Sequence, residues 1–220
     1  CYMVSRAFLD GFYVKPRVDL ALLRAHSEGL IALSACLAGA IPRRLRMGDF
    51  DGAKAYALEL ADIFGKDSFF LELQDHGLPE QQQVNRDLLK IAAQTGLGLV
   101  ATNDAHYLTR EDSYIQDVLM CIQMGKTVDD PNRMRFETNE FYLKSEEEMR
   151  LLFPNVPEAF ENTVRIAQRC NVEFEFNHYH LPQFATPDGS DSLTYFRKMC
   201  ADGFAERYLD APQEYRERLR

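Results

Sequence analysis

Three short apolar runs, each breaking off in a polar tip, constrain this chain more than any other feature. They are Leu30 to Cys36 (LIALSAC), Phe69 to Gln74 (FFLELQ) and Leu97 to Thr102 (LGLVAT). Between them lie stretches of helical periodicity. From about Asp51 to Phe64, residues Ala53, Ala57, Leu60, Ala61 and Phe64 fall on one face. After Pro79, residues Val84, Leu88, Ile91 and Ala92 repeat the pattern, and Gly96 closes the helix. Buried strands alternating with amphipathic helices give a parallel sheet or barrel with its helices outside. In such folds ligand sites lie at the C-terminal ends of the strands.

Each of the three runs delivers a candidate ligand at that end. The first ends in Cys36, the second in Asp75-His76-Gly77, the third in Asn103-Asp104-Ala105-His106. Asp104 and His106 are two residues apart, so an extended backbone projects both to one side. A carboxylate beside an imidazole suits a divalent metal ion or a general acid/base pair. The ordinary reading of the same residues is a core thiol at Cys36, a turn histidine at His76, and an Asx-type turn with His106 under Tyr107. Three tips expected to converge in space favour a site. Glu72, in mid-strand, either faces that site or pairs with a basic residue outside.

Composition narrows the function. The 220 residues carry a net charge of −9, where a domain that grips a nucleic-acid backbone is usually basic. No apolar run is long enough to span a membrane, and no signal-peptide pattern occurs. The five cysteines are scattered and odd in number, which fits reduced thiols in a cytoplasmic protein. There is no Gly-rich phosphate loop, no G-x-S-x-G elbow and no C-x-x-C pair.

Elsewhere, helices are expected over residues 2–10, around Val18 to Leu23, over 41–47, and from Glu111 to Met124 with Ile115, Val118, Leu119 and Ile122. Phe141 to Leu143 reads as a short edge strand. Ser145 and Glu148 form a capping box, and Pro157 opens a helix running to Cys170. Val172 to Phe176 alternates, and 177–189 is irregular with two prolines, Pro182 and Pro187. The pair His178-Tyr179-His180 has metal-ligand spacing but sits in this linker-like stretch. Arg43, Arg44 and Arg46 form a small basic patch near the first tip, by default a solvated face. Residues 190–209 read as an amphipathic helix. The chain starts at Cys1 and stops within the charged run Tyr215 to Arg220, so it reads as a segment of something longer.

Several long motifs also resemble a known family. ALSACLAGAIPR (32–43), FFLELQDHGLPEQQQVN (69–85), VATNDAHYL (100–108), DDPNRMRF (129–136), EFYLKSEEEM (140–149) and NVEFEFNHYHLPQF (171–184) are similar to the bacterial DNA polymerase III alpha-subunit family. The similarity is to the C-terminal part of its polymerase-and-histidinol-phosphatase (PHP) domain and the approach to the palm.

The resemblance implies an α/β fold: an incomplete PHP-type distorted (β/α)7 barrel over 1–180, a linker over 181–189, and a helical start of the polymerase core over 190–220. It implies that Cys36, His76, Asp104 and His106 are metal ligands, holding zinc or manganese, or iron in some members. It further implies metal-dependent phosphoester cleavage or a scaffold role for the PHP domain, and DNA synthesis by the whole protein with magnesium held elsewhere. The implied partners are primer-template DNA, deoxynucleoside triphosphates, a sliding clamp, a clamp loader and a proofreading subunit. The family's H-x-H motif belongs before Cys1, and Ala40 stands where the family commonly has Glu. Two alternatives stand beside this: a stand-alone PHP phosphoesterase, against which YHLPQF and the helices after it speak, and a metal-free scaffold.

Overall fold

The computed structural model describes residues 1–179 and 181–218. Two compact units divide it, Cys1–Asn171 and Val172–Arg220.

The first unit is built on three parallel strands, β1 (Ala32–Leu33), β2 (Phe69–Leu73) and β3 (Gly98–Ala101), in the order β1-β2-β3. Ala32 stands opposite Phe69, and β2 and β3 pair from Phe70–Gly98 to Leu73–Ala101. Two short helices, α1 (Tyr2–Leu9) and α2 (Leu20–Ala25), precede the sheet. Between β1 and β2 lie α3 (Ala40–Arg46) and α4 (Phe50–Phe64), and between β2 and β3 lies α5 (Pro79–Thr95). A single 3-10 turn, Arg110–Asp112, leads into α6 (Ser113–Met124), and α7 (Glu146–Leu152) and α8 (Pro157–Arg169) close the unit. The chain is thus a mixed α/β protein with a small parallel sheet.

The periodicity places the core correctly. Phe69, Leu71 and Leu73 of β2 are fully buried, against Ala53 and Ala57 of α4 and Leu88 and Ile91 of α5. Alanines on the inner face of α4 let that helix lie close to the sheet without a void. Proline in the first turn of α5 costs no helical hydrogen bond, and Gly96 ends the helix in the left-handed region at φ 66°. The expected Ser145–Glu148 capping box is present in both directions at α7.

The structure corrects two local expectations and resolves two segments whose role the spacing left open. The strand over 30–36 shrinks to Ala32–Leu33 and is only partly covered, because β2 is its sole sheet neighbour among the described residues. Phe141 to Leu143 forms no strand but one parallel bridge, Tyr107 to Tyr142, since its backbone groups bond instead to the tip after β3. Val172 to Phe176 is irregular and exposed. On α6 the stripe Ile115, Leu119 and Ile122 faces outward, and Cys121 is the buried residue.

The second unit carries α9 (Ser192–Arg207) and α10 (Gln213–Arg218). Asp191 caps α9 by accepting from the amides of Leu193 and Thr194. Leu193, Phe196 and Met199 of α9 are exposed. His180 lies outside the described residues, and His178 Nδ1 stands 3.2 Å from Glu175 Oε1. No helix among the described residues is long and apolar enough to cross a membrane.

Candidate functional site

The three strand tips are tied together by one carboxylate. Glu72 accepts from the Ala35 amide at 3.1 Å through Oε2. Through Oε1 it accepts from Thr102 Oγ1 at 2.5 Å and from Gln74 Nε2 at 3.0 Å. Its own amide donates to Ser34 Oγ at 2.8 Å. Glu72 therefore faces the site, the first of its two sequence readings, and joins the ends of β1, β2 and β3. The β1 tip turns sharply at Ala35, φ 66°, and Gly39 is needed close by, since a Cβ there would lie 2.6 Å from the Ser34 carbonyl oxygen. Cys36, half-buried, lines a cavity of about 10 Å³ with Glu72, Gln74 and Gln81. Gln74 Oε1 is buried there without a hydrogen-bond partner among the described residues.

The tip after β3 is held by the segment 138–144. The Asn103 side chain donates to the Lys144 carbonyl at 3.0 Å and accepts from the Lys144 amide at 3.2 Å, as a neighbouring strand would. His106 N donates to the Phe141 carbonyl at 2.7 Å, and Leu143 N to the Tyr107 carbonyl at 3.1 Å. Within this frame Asp104 takes a left-handed backbone, φ 44°. Its Oδ1 lies 3.6 Å from His106 Nε2, and each side chain is more than a third exposed. Beside the pair, the Phe136 ring sits 4.9 Å from the His106 ring and lines an open cleft of about 760 Å³ with Tyr107, Tyr114, Asp117 and Arg135.

His76 is different. It is almost wholly buried, and both ring nitrogens face protein partners: Nε2 the Asn103 carbonyl at 2.9 Å, Nδ1 the Gln81 side-chain amide at 2.7 Å. Burial holds its imidazole below the usual histidine range, against the opposing pull of the Asn103 carbonyl. Lys144 is also buried and lowered by desolvation, with Glu140 pulling the other way. Its ammonium bonds the Glu140 carbonyl and lies 4.3 Å over the Tyr142 ring.

A divalent ion needs donors that are free to turn toward it. The Asp104–His106 pair meets that condition. At His76, which the resemblance implies as a ligand, both ring nitrogens face protein partners in this structure. Among the described residues no three histidine, cysteine or carboxylate side chains come together as a metal-holding group. Cys36 remains at the β1 tip, beside Glu72 and Gln74. Sequence reasoning missed Gln81 and Phe141. Gln81 lies within the motif 69–85 but is not a metal-ligand residue type, and Phe141 reads from sequence as part of an edge strand.

Residues 1–76 match the family model of the PHP domain, a span that contains β1 and β2 of the sheet. The chain is 46% identical over 226 residues to the DNA polymerase III subunit alpha of Thermus aquaticus, covering 99% of this chain and 18% of that protein. It is 46% identical over 215 residues to the subunit of the same name from Treponema pallidum, covering 97% and 18%. The same identity holds over 214 residues for that of Saccharopolyspora erythraea, again 97% and 18%. The resemblance to DNA polymerase III alpha subunits extends over nearly the whole chain, which spans less than a fifth of the length of these curated relatives.

Proposed function

We propose that this chain is part of a replicative DNA polymerase III alpha subunit, and that its strand tips contribute to a PHP-type metal site. The observation that carries the polymerase reading is 46% identity across 99% of the chain to a protein named for that subunit. In this reading residues 1–180 form the C-terminal part of a distorted (β/α)7 PHP barrel, 181–189 a linker, and 190–220 the helical start of the polymerase core. Template-directed DNA synthesis, with its magnesium ions, its nucleotide and DNA substrates, and its clamp, clamp-loader and proofreading partners, is a property of the whole protein in the cytoplasm.

For the metal site, the reading rests on Asp104 and His106, with Cys36 as a further ligand brought in from the β1 tip. Other segments of the intact polymerase complete the shell. Zinc, manganese or iron would be held by such a mixed carboxylate, imidazole and thiolate set. A bound divalent cation supplies Lewis acidity toward a phosphoester. The chain's own part is to hold Asp104 and His106 side by side, and to offer beside them a cleft whose aromatic and arginine lining suits a nucleotide unit. The scaffold reading has one observation in its favour, the lack of a three-donor group among the described residues.

Metal analysis separates the two. The full-length polymerase should lose bound zinc or manganese in the Asp104→Ala/His106→Ala variant, and unchanged metal content would leave the scaffold. Residues 1–220 alone should show no primer extension. Detectable extension would refute the placement of the polymerase centre elsewhere.

A further inference from the structure

His76 is held by more bonds than a turn histidine needs. Its backbone amide donates to Gln81 Oε1 at 2.8 Å, and its backbone carbonyl accepts from Thr138 Oγ1 at 2.7 Å. Gln81, itself buried, contacts it twice. That double contact fixes the tautomer. The Gln81 oxygen must face the His76 amide, because the reverse orientation would set NH₂ against N–H. Gln81 Nε2 then points at His76 Nδ1, which must accept. The ring proton is left on Nε2, where it donates to the Asn103 carbonyl.

Asn103 is the residue before Asp104. Its carbonyl belongs to the peptide whose far side begins the left-handed backbone of Asp104, φ 44°. Aspartate is among the few non-glycine residues that adopt this region, and here its neighbours hold it there. Here Lys144 fixes the Asn103 side chain and His76 fixes its carbonyl. Phe141, whose ring stacks on His76 at 3.9 Å, holds the His106 amide through its carbonyl.

We propose that His76 is a positioning residue for the Asp104–His106 pair. It acts from beneath, as a neutral Nε2–H donor that locks the Asn103 peptide, and it does not bind metal. The proposal rests on the metal reading for its consequence but not for its geometry. Its chemistry is that of a buried histidine whose hydrogen bond sets the orientation of groups it never touches.

Nitrogen-15 NMR of the 220-residue chain, with and without Zn²⁺, tests both readings separately. The expected His76 ring has one protonated nitrogen, Nε2, and is unmoved by zinc, while the His106 ring shifts on zinc addition. An Nδ1-protonated His76, or a zinc shift at His76 as large as that at His106, would overturn the proposal. His76→Leu should move the His106 ring signals and weaken Zn²⁺ binding about tenfold. His76→Gln, which places an amide N–H near the lost Nε2–H, should restore both. Identical His106 signals in the leucine variant and the parent would also overturn it. Should His76→Leu not fold, the parent's tautomer and zinc response still decide. Absence of any zinc shift at His106 would sink the metal reading, and the positioning role would then stand or fall on the tautomer and the His106 signals alone.

Discussion

The Phe141 ring lies nearly parallel on the imidazole of His76, with centroids 3.9 Å apart and planes 10° from coplanar. The same ring meets His106 edge-on at 5.6 Å and Phe136 at 4.4 Å. One phenylalanine thus joins the buried histidine beneath the site to the exposed histidine within it. Its backbone holds His106 a second time, its carbonyl accepting from the His106 amide.

Phe141→Ala should therefore do more than open a cavity. Removing a buried phenylalanine costs about 3–5 kcal/mol, and here both histidine rings lose their shared wall. Urea denaturation should show a loss in that range, accompanied by broadened His76 and His106 signals. Phe141→Leu, which keeps most of the volume, should cost about half as much. A stability change under about 1 kcal/mol for the alanine variant would show that the stack contributes nothing to the fold.

The burial of His76 makes stability depend on pH. Its folded-state pKa lies below the ordinary value of 6.5, so the unfolded chain takes up this proton first as pH falls. Where the unfolded state binds more protons, stability rises with pH. The contribution is fully present above 6.5 and is lost as pH drops below it toward the folded-state value. Urea midpoints at pH 7.5 and pH 5.5 should differ in that sense, and His76→Gln should flatten the difference. An equal slope in parent and variant would assign the effect to other groups.

The sequence made the sheet and its helices legible because their apolar periods are long and undisturbed. Val84, Leu88, Ile91 and Ala92 of α5 are the inner face that the spacing predicts. Asp104 and His106 do lie side by side after β3, but not through the extended period-2 backbone that their spacing suggests, because Asp104 takes a left-handed conformation. What was illegible is what turns on partners distant in sequence. Whether His76 binds metal or protein depends on Gln81 and Asn103, and nothing in its local context, Asp75-His76-Gly77, distinguishes the two. Phe141-Tyr142-Leu143 has strand composition, yet its backbone is used by Tyr107 and His106. The outward stripe of α6 shows the same limit, since amphipathic spacing says that one face differs without saying which face is covered.

Glu72 joins three strand ends, so its removal should be felt throughout the site. Glu72→Ala strips the acceptors from the Ala35 amide, the Thr102 hydroxyl and the Gln74 amide at once. Unsatisfied buried donors cost about 1–3 kcal/mol each. A total loss of about 2–4 kcal/mol is expected in urea unfolding, because two of the three groups have some access to water. Glu72→Gln should cost less, since one oxygen is kept, but it sets an NH₂ against the Ala35 N–H or the Gln74 side-chain NH₂. A fully neutral Glu72→Ala would mean that the tips hold their places without it.

Gly98 shows how tightly β3 is seated. A Cβ at this position would meet the Phe70 ring at 2.7 and 2.8 Å, well inside contact distance. Gly98→Ala should cost about 1–3 kcal/mol by overpacking, read as a lowered thermal midpoint. Phe70→Leu should relieve part of that cost in the double variant, giving a coupling energy that separates this clash from a backbone effect. Additive losses would argue against the ring as the cause.

Asp104 carries the last prediction, because it sets stability against chemistry at a single position. Its backbone lies at φ 44°, where a side chain is disfavoured and glycine is not. Its carboxylate, more than a third exposed, has His106 Nε2 as a neighbour at 3.6 Å, too distant for a hydrogen bond. Asp104→Gly removes the strain and loses little in return. The gain is offset by the greater freedom of glycine in the unfolded chain, so stability should stay within about 1 kcal/mol of the parent or rise. Zn²⁺ binding, measured by titration calorimetry, should be lost. An aspartate kept in a conformation that glycine would hold more easily is one retained for what its carboxylate does. If Asp104→Gly instead destabilises the fold by several kcal/mol, the carboxylate is structural, and the pair it forms with His106 is part of the scaffold.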